Sequence, residues 1–305
     1  MHQPVLLEET ISYLITDLDG IYVDCTVGGG GHLKHLLSRL NPGARVIGLD
    51  KDADILRETA RSFDFPGLKL VHSDFKSLSD VLESEGIQAV DGIMMDLGVS
   101  SFQLDVAERG FSFHEDSGLD MRMNREQAFS ARDLVNTYTE DEISDILFRY
   151  GEERYARRIA RGIVQYRQTK SIDTTLELVE IIKSWVPAAY RRDKHPARRS
   201  FQALRIAVNG ELDALNEVLP EAVQALNPGG RLCVITFHSL EDRIVKRFMQ
   251  ERSRECICPP GLPICMCNHK AQLGLLTRKP VIPGDLECEV NPRARSARLR
   301  VAVKK

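Results

Sequence analysis

The chain has 305 residues, with 44 acidic against 41 basic side chains, a formal charge of −3 and 43% hydrophobic residues, enough for one large domain or two smaller ones. Ordinary glycine and proline contents, and 7 cysteines in so long a chain, exclude a disordered chain, a collagen and a disulfide-stapled mini-scaffold. The longest apolar runs, such as Leu232 to Phe237, fall far short of the roughly 20 residues that span a bilayer, so no transmembrane segment and no membrane partner are expected.

The opening Met1-His2-Gln3-Pro4, followed by Glu8-Glu9, lacks the basic region, apolar stretch and cleavage site of a signal peptide. A cytoplasmic, reducing compartment is the expectation, with the cysteines as thiols or metal ligands. Ile21 to Val27 is a β-branched run ending in four glycines. Arg45 to Asp50, Leu68 to His72 and Ala89 to Asp96 are further strand-like runs, and His32 to Leu40, Asp52 to Ser62 and Ser77 to Glu85 have helical spacing. Strands alternating with helices of about ten residues imply βαβ units and a mostly parallel, doubly wound α/β sheet.

After Asp96 the pattern changes. Phe129 to Leu226 holds several amphipathic helices and no convincing strand. Thr139 with Glu142, and Thr174 with Glu177, read as capping boxes, and Pro187 ends the second of these helices. Gly230 to Phe237 returns to strand composition behind an Asn-Pro-Gly-Gly turn. The expected organisation is one α/β domain, residues 1–107 and 207–305, interrupted by an all-helical insertion, 108–206. Charge is segregated as well: Arg149 to Arg205 carries +8 and Asn291 to Lys305 carries +6, leaving −17 on the rest. Clustered Lys and Arg suit a polyanion, whose counterions they release, although a solvated helical face is the usual origin of a charge run.

The sharpest local signal is Asp24-Cys25-Thr26-Val27-Gly28-Gly29-Gly30-Gly31-His32, between a strand and a helix. Glycines let the backbone approach a ligand, and a helix N-terminus offers N–H donors. Asp50 closes the second strand, where a carboxylate can accept from both ribose hydroxyls. A dinucleotide fingerprint counted from Gly28 would need a glycine at Leu33. Asp24 instead fits the acidic Asp/Glu-x-Gly-x-Gly pattern of class I methyltransferases, with Thr26 at the first glycine. Ser73-Asp74-Phe75 follows the third strand and Asp96-Leu97-Gly98-Val99-Ser100-Ser101 the fourth, both at the carboxyl edge where ligands bind in open α/β sheets. Singly each could be an ordinary loop or cap, and Phe75 could be core.

With these blocks in view, the chain resembles the bacterial 16S rRNA (cytosine-N4)-methyltransferase family, RsmH or MraW. The resemblance runs through His2-Gln3-Pro4-Val5-Leu6, the Gly28 to His32 loop, Asp96 to Ser101 with Gln103-Leu104-Asp105, and Arg109-Gly110-Phe111-Ser112. It continues through Leu119 to Met123, Phe201 to Arg205, Phe237 to Arg243 and Asn291 to Ser296. One departure is Phe102, where proline is expected in most members. The resemblance implies a class I, Rossmann-like fold with an inserted all-helical, substrate-recognising domain. It implies that Gly30, Gly31, His32, Asp50, Phe75, Asp96 and Gln103 contact S-adenosylmethionine. It also implies that the acceptor is a cytidine N4 in 16S rRNA at the decoding centre, in the P-site region, within the small ribosomal subunit or a late assembly intermediate.

The sulfonium already activates the methyl group, so positioning is the enzyme's main task. Asp96 is the candidate acceptor of a hydrogen bond from the N4 amine. The target base must be unstacked, and Phe111 and Phe113 are candidate stacking surfaces, although alternating aromatics are more often packing. His238 is a candidate base, set against a supporting role in which Ser239 and Asp242 cap the next helix. For RNA, Arg191, Arg192, Arg198 and Arg199 crowd a segment around Pro196, and Arg154, Arg157, Arg158 and Arg161 share a helical face, where Glu152 and Glu153 could pair with some of them. Cys256-x-Cys258 and Cys265-x-Cys267 could hold zinc, but the usual spacing is two to four residues, so reduced thiols on a loop, without metal, is the reading. The alternatives are a class I methyltransferase for another nucleic-acid amine, an RNA-binding ribosome-assembly factor with a vestigial cofactor site, and, third, a nicotinamide oxidoreductase.

Overall fold

The structure, a computed structural model, describes residues 4–190, 195–259 and 264–305. The chain divides into two compact units, Met1–Gly98 with Leu212–Lys305, and Val99–Glu211. The sequence reading put the divisions near residues 107 and 206.

The first unit is built on seven strands: β1 (Ile21–Asp24), β2 (Arg45–Asp50), β3 (Leu68–His72), β4 (Val90–Asp96), β5 (Leu226–Thr236), β6 (Leu273–Leu275) and β7 (Arg298–Lys304). Their order is β3-β2-β1-β4-β5-β7-β6. The first five pair in parallel, whereas β7 lies antiparallel between β5 and β6. Side chains of a strand alternate between faces, and here both faces are buried. Val23, Ile47, Ile93, Met95, Leu232 and Val234 pack into one core with Leu78, Leu215, Val218 and Val245. Their neighbours Tyr22, Val46, Met94, Cys233 and Ile235 pack into the other with Ile11, Leu14, Leu33 and Leu36.

Two local readings need correction. The first strand ends at Asp24, not Val27, because the Asp24 carboxylate accepts the Thr26 amide at 3.0 Å and turns the chain. The fifth begins at Leu226, and Asn227–Gly230 forms an irregularity within the strand, where the pairing with β4 slips between Val90 and Gly92. The basic C-terminal segment is structural. Arg300 is buried and pairs with Asp242 through both carboxylate oxygens, at 2.7 and 3.1 Å, and Arg298 reaches the same carboxylate at 3.2 Å. Lys304 donates to the carbonyls of Val223 and Gln224. Much of the +6 is therefore engaged within the unit.

The second unit is helical: Ser101–Asp105, Ala131–Thr137, Glu140–Gly151, Ala156–Arg167, Thr175–Trp185 and Arg198–Asn209. Capping boxes form at Thr139 with Glu142 and at Thr174 with Glu177. A core of Leu119, Met121, Leu134, Leu147, Ile163, Ile182, Phe201 and Leu204 holds the helices together. Buried Asn209 accepts the Met123 amide and donates to the carbonyls of Met121 and Arg205, each at 2.8 Å. Among the described residues no helix is long and apolar enough to cross a membrane.

Candidate active site

The carboxyl ends of β1, β2 and β4 bring Asp24, Asp50 and Asp96 to one edge of the sheet. Val27 to Gly30 closes that edge through its amides, Gly30 N–H to the Val27 carbonyl at 2.8 Å and Gly28 N–H to the Asp50 carboxylate Oδ2 at 2.7 Å. Gly30 has φ +74°, and a Cβ there would lie 2.7 Å from Thr59 Cγ2 and 2.8 Å from Phe63, so both its conformation and its packing require glycine. A Cβ on Gly31 would lie 2.2 Å from Pro4 Cγ. These two glycines thus have packing reasons of their own. Gly29 faces open space and is the glycine past which a ligand can run. The helix Gly31–Arg39 follows, with no side chain capping its N-terminus.

His32 stands in the first turn of that helix, 6% exposed. Its Nε2 lies 3.0 Å from the Val5 carbonyl, an acceptor only, so the neutral ring carries its proton there and turns the Nδ1 lone pair to Asp96 Oδ2, 3.4 Å away. Burial lowers the imidazole pKa against the pull of the Asp24 charge and so favours the neutral ring. Asp96 is pushed up to about 7 by burial and by the Glu241 charge, and in its protonated form it can donate to that lone pair. Its amide donates to the Thr26 hydroxyl at 2.6 Å, and its Oδ1 is buried with no partner.

Asp24 is fully buried and pushed up to about 7, chiefly by burial, and its Oδ2 also has no partner. Burial raises Asp50 to about 6 against two amides, from Gly28 and Asp52, that favour its charged form. Burying a carboxyl favours its neutral form unless a cation or donor is supplied. Phe75 opens the 3-10 turn after β3 and packs, half-buried, against the sheet core, so it does serve as core.

His238 differs from the sequence reading. It caps the helix Ser239–Arg252 itself: Nδ1 accepts the Glu241 amide at 3.4 Å, and Glu241 Oε2 accepts the amides of Phe237 and His238 at 2.8 and 3.2 Å. Nε2 lies 3.0 Å from Glu241 Oε1, and the ring is only 10% exposed. The expected Ser239–Asp242 box does not form, because Asp242 is drawn to Arg300 and Arg298. The ring is therefore a helix cap, with a buried Nε2 that lies beside a carboxylate but has no hydrogen-bond partner.

Gln103 belongs to the helical unit, where its side-chain oxygen accepts the Ser100 amide at 3.0 Å in a capping box. Phe111 is buried in that unit's core, and the half-buried Phe113 is stacked on His195 at 4.5 Å and edge-on to Phe201 at 5.6 Å, so both serve packing. Arg198 is exposed, and Arg199 donates to the Glu152 carbonyl at 2.9 Å. Arg191 and Arg192 lie outside the described residues. Buried Glu153 turns to Tyr190 at 2.7 Å, while Arg161 pairs with Glu140 at 3.5 Å and Arg154 and Arg158 lie over Tyr155. The burial of Asp24 and the charge and hydrogen bonds of Glu241 place at the site two residues to which the sequence reading assigned no role there. Asp24 carried a signal, as the acidic residue before the glycines.

A sheet in this order, with its seventh strand antiparallel and acidic residues at the carboxyl ends of β1, β2 and β4, is the class I, Rossmann-like fold of S-adenosylmethionine-dependent methyltransferases. The donor set suits that cofactor. Two orphaned carboxyl oxygens and three carboxyls raised by burial call for a ligand that brings positive charge and hydrogen-bond donors, as a sulfonium, an ammonium and ribose hydroxyls do. Over residues 1–305 the sequence matches the model of the MraW methylase family, and the chain belongs to that family. It is 51% identical over 304 residues to a Clostridium botulinum protein named ribosomal RNA small subunit methyltransferase H, covering 99% of this chain and 98% of that one. Proteins of the same name from Brevibacillus brevis and Halothermothrix orenii are 51% and 49% identical over 307 and 303 residues, with 99% of this chain and 98% and 97% of theirs covered. Among solved structures, an rRNA methylase from Streptococcus thermophilus covers 100% of this chain and 98% of its own at 10% identity, with a TM-score of 0.44, a likeness too slight to carry an argument.

Proposed function

We propose that this protein methylates the N4 amine of one cytidine in 16S rRNA, in the P-site region of the decoding centre, acting on the small subunit or a late assembly intermediate. The observation that carries the chemistry is the pair of buried, unpartnered oxygens Asp24 Oδ2 and Asp96 Oδ1 at the ends of adjacent strands. The names of the curated relatives support small-subunit rRNA as the substrate. The resemblance of the motifs supports cytidine N4.

S-adenosylmethionine supplies a methyl group already activated on a sulfonium. Asp50, with Gly29 and Gly30 beside it, would hold the ribose end, its carboxylate keeping lone pairs for hydroxyls while accepting two amides. Asp24 and Asp96 would both face a cationic part of the cofactor in their ionised forms. Asp96 would accept a hydrogen bond from the exocyclic amine, favouring the pyramidal nitrogen that attack requires, and would take the proton the product nitrogen must shed. His32 fixes the orientation of Asp96. His238 and Glu241 rigidify the loop after β5. Arg198 and Arg199, with Arg191 and Arg192, would meet RNA phosphates.

The test is methyl transfer from labelled S-adenosylmethionine to 30S particles from a strain lacking the gene, followed by mass mapping of the rRNA. N4-methylcytidine at one P-site position is expected; a methyl group on another base or on a ring carbon sinks the proposal. Asp96→Asn should lower turnover at saturating cofactor by about 10²- to 10⁴-fold if the carboxylate assists proton removal. Normal turnover with weakened cofactor binding would leave Asp96 a binding role only.

A further inference from the structure

Residues 253–272, between the helix Ser239–Arg252 and β6, contain no helix or strand among those described. Connections this long inside a compact unit are uncommon without something to order them. The base of the loop is tied down: the Gln272 amide donates to the Arg252 carbonyl at 2.8 Å, and His269 Nε2 lies 3.1 Å from the Glu251 carbonyl. Its outer part has no core to rest on, since Ile264 and Met266 are 76% and 79% exposed. What converges there instead is sulfur.

Cys256, Cys258, Cys265 and Cys267 put their four Sγ atoms within 4.8 Å of one another. Cys256 and Cys265 are 3.5 Å apart, Cys265 and Cys267 3.5 Å, and Cys256 and Cys267 3.7 Å. A disulfide would bring two sulfurs to about 2.0 Å, and all four are free thiols. Four thiolates at about 2.3 Å from one tetrahedral ion stand about 3.8 Å apart along each edge, which these separations approach. Two amides are also aimed at sulfur, Cys258 N–H at Cys256 Sγ and Met266 N–H at Cys258 Sγ, both at 3.4 Å. Such outer bonds orient metal-bound thiolates. The single-residue spacing that spoke against a metal in the sequence is offset by the return of the chain, which brings the second Cys-x-Cys pair onto the first.

We propose that these four cysteines form a structural zinc site that closes the 253–272 loop. A set of four sulfur ligands in tetrahedral array selects zinc or iron among the common metals, and its closed shell leaves no position for substrate. The site lies apart in sequence from the strand ends that carry Asp24, Asp50 and Asp96, and its role is to order the loop.

The full chain, purified under reducing conditions without chelator and dialysed exhaustively, should carry one zinc per chain by elemental analysis. Cobalt exchanged for it should give the absorption of a tetrahedral tetrathiolate. The Cys265→Ser/Cys267→Ser double variant should lose the zinc and be cut by protease within 253–272 at least tenfold faster, while keeping its far-ultraviolet circular dichroism. Three results overturn the proposal: wild-type protein that stays metal-free after incubation with micromolar zinc while its thiols react as fast as those of the unfolded chain; a Cys256–Cys265 disulfide in the reduced preparation; or iron in place of zinc. Should the double variant fail to fold, Cys258→Ser alone, read by zinc content per chain, decides the same point.

Discussion

If Asp24 and Asp96 hold a cation in their ionised forms, cofactor binding must be linked to protons. Burial pushes each carboxyl up to about 7. At pH 6 each is protonated about nine times in ten, and a ligand that requires the carboxylate must expel that proton. Affinity is then full above pH 7 and falls by about tenfold per unit below it for each group, up to about a hundredfold per unit if both must ionise. Because the Asp96 charge also raises Asp24, the two steps belong to the pair rather than to either residue. Burial shifts His32 the other way, lowering its pKa and favouring the neutral ring. Without ligand the sign reverses for stability. The native state holds protons that the unfolded chain releases above about pH 4, so these two groups make the fold less stable as pH rises from 4 to 7. Calorimetric titration with S-adenosylmethionine at pH 6.0, 6.5, 7.0 and 7.5, in buffers of different ionisation enthalpy, reads both affinity and protons released. Flat affinity with no proton exchange would refute the reasoning, and Asp24→Asn should remove about half of the slope.

Asp242 has the opposite linkage: although burial alone would raise it, Arg300 and Arg298 hold its carboxyl below the ordinary range. Its stabilisation is present above about pH 4 and is lost as pH falls through its native pKa, and Asp242→Ala, which strands Arg300, should cost about 3–5 kcal/mol in urea unfolding. Asn209→Ala leaves the buried Met123 amide without its acceptor and should cost about 1–3 kcal/mol by the same measurement. Gly31→Ala places a Cβ against Pro4, so it should displace the N-terminal segment and lower the melting temperature; an unchanged melting curve would show that Pro4 gives way freely. His238→Asn keeps a capping side chain and should retain near-normal turnover, whereas His238→Ala should lose about 1 kcal/mol of stability; a collapse of turnover with asparagine would return His238 to the reaction.

Which features were legible in the sequence follows from the range of the forces that make them. The βαβ order, the Thr139 and Thr174 caps, the glycine loop and the acids that end β1, β2 and β4 depend on residues within a few positions of one another, and side-chain period reveals them. Asp24 and Asp96 are 72 positions apart, and only the parallel pairing of β1 with β4 makes them neighbours whose burial raises both. His238, which the sequence leaves between a base and a support for its loop, is a helix cap in three dimensions, because Asp242, its rival capping partner, is claimed by two arginines from β7. The basic C-terminal segment looks like a nucleic-acid tail and is an internal strand. The four cysteines are two tight pairs in sequence, and only the fold brings their sulfurs within 4.8 Å of one another. Sequence by itself determined the elements, their order and the chemical types available at the sheet's edge. Tertiary structure decided which charges are neutralised, which carboxyls are desolvated and which sulfurs meet, since Coulomb energy and desolvation depend on distance in space and on burial, neither of which is written in the order of the residues.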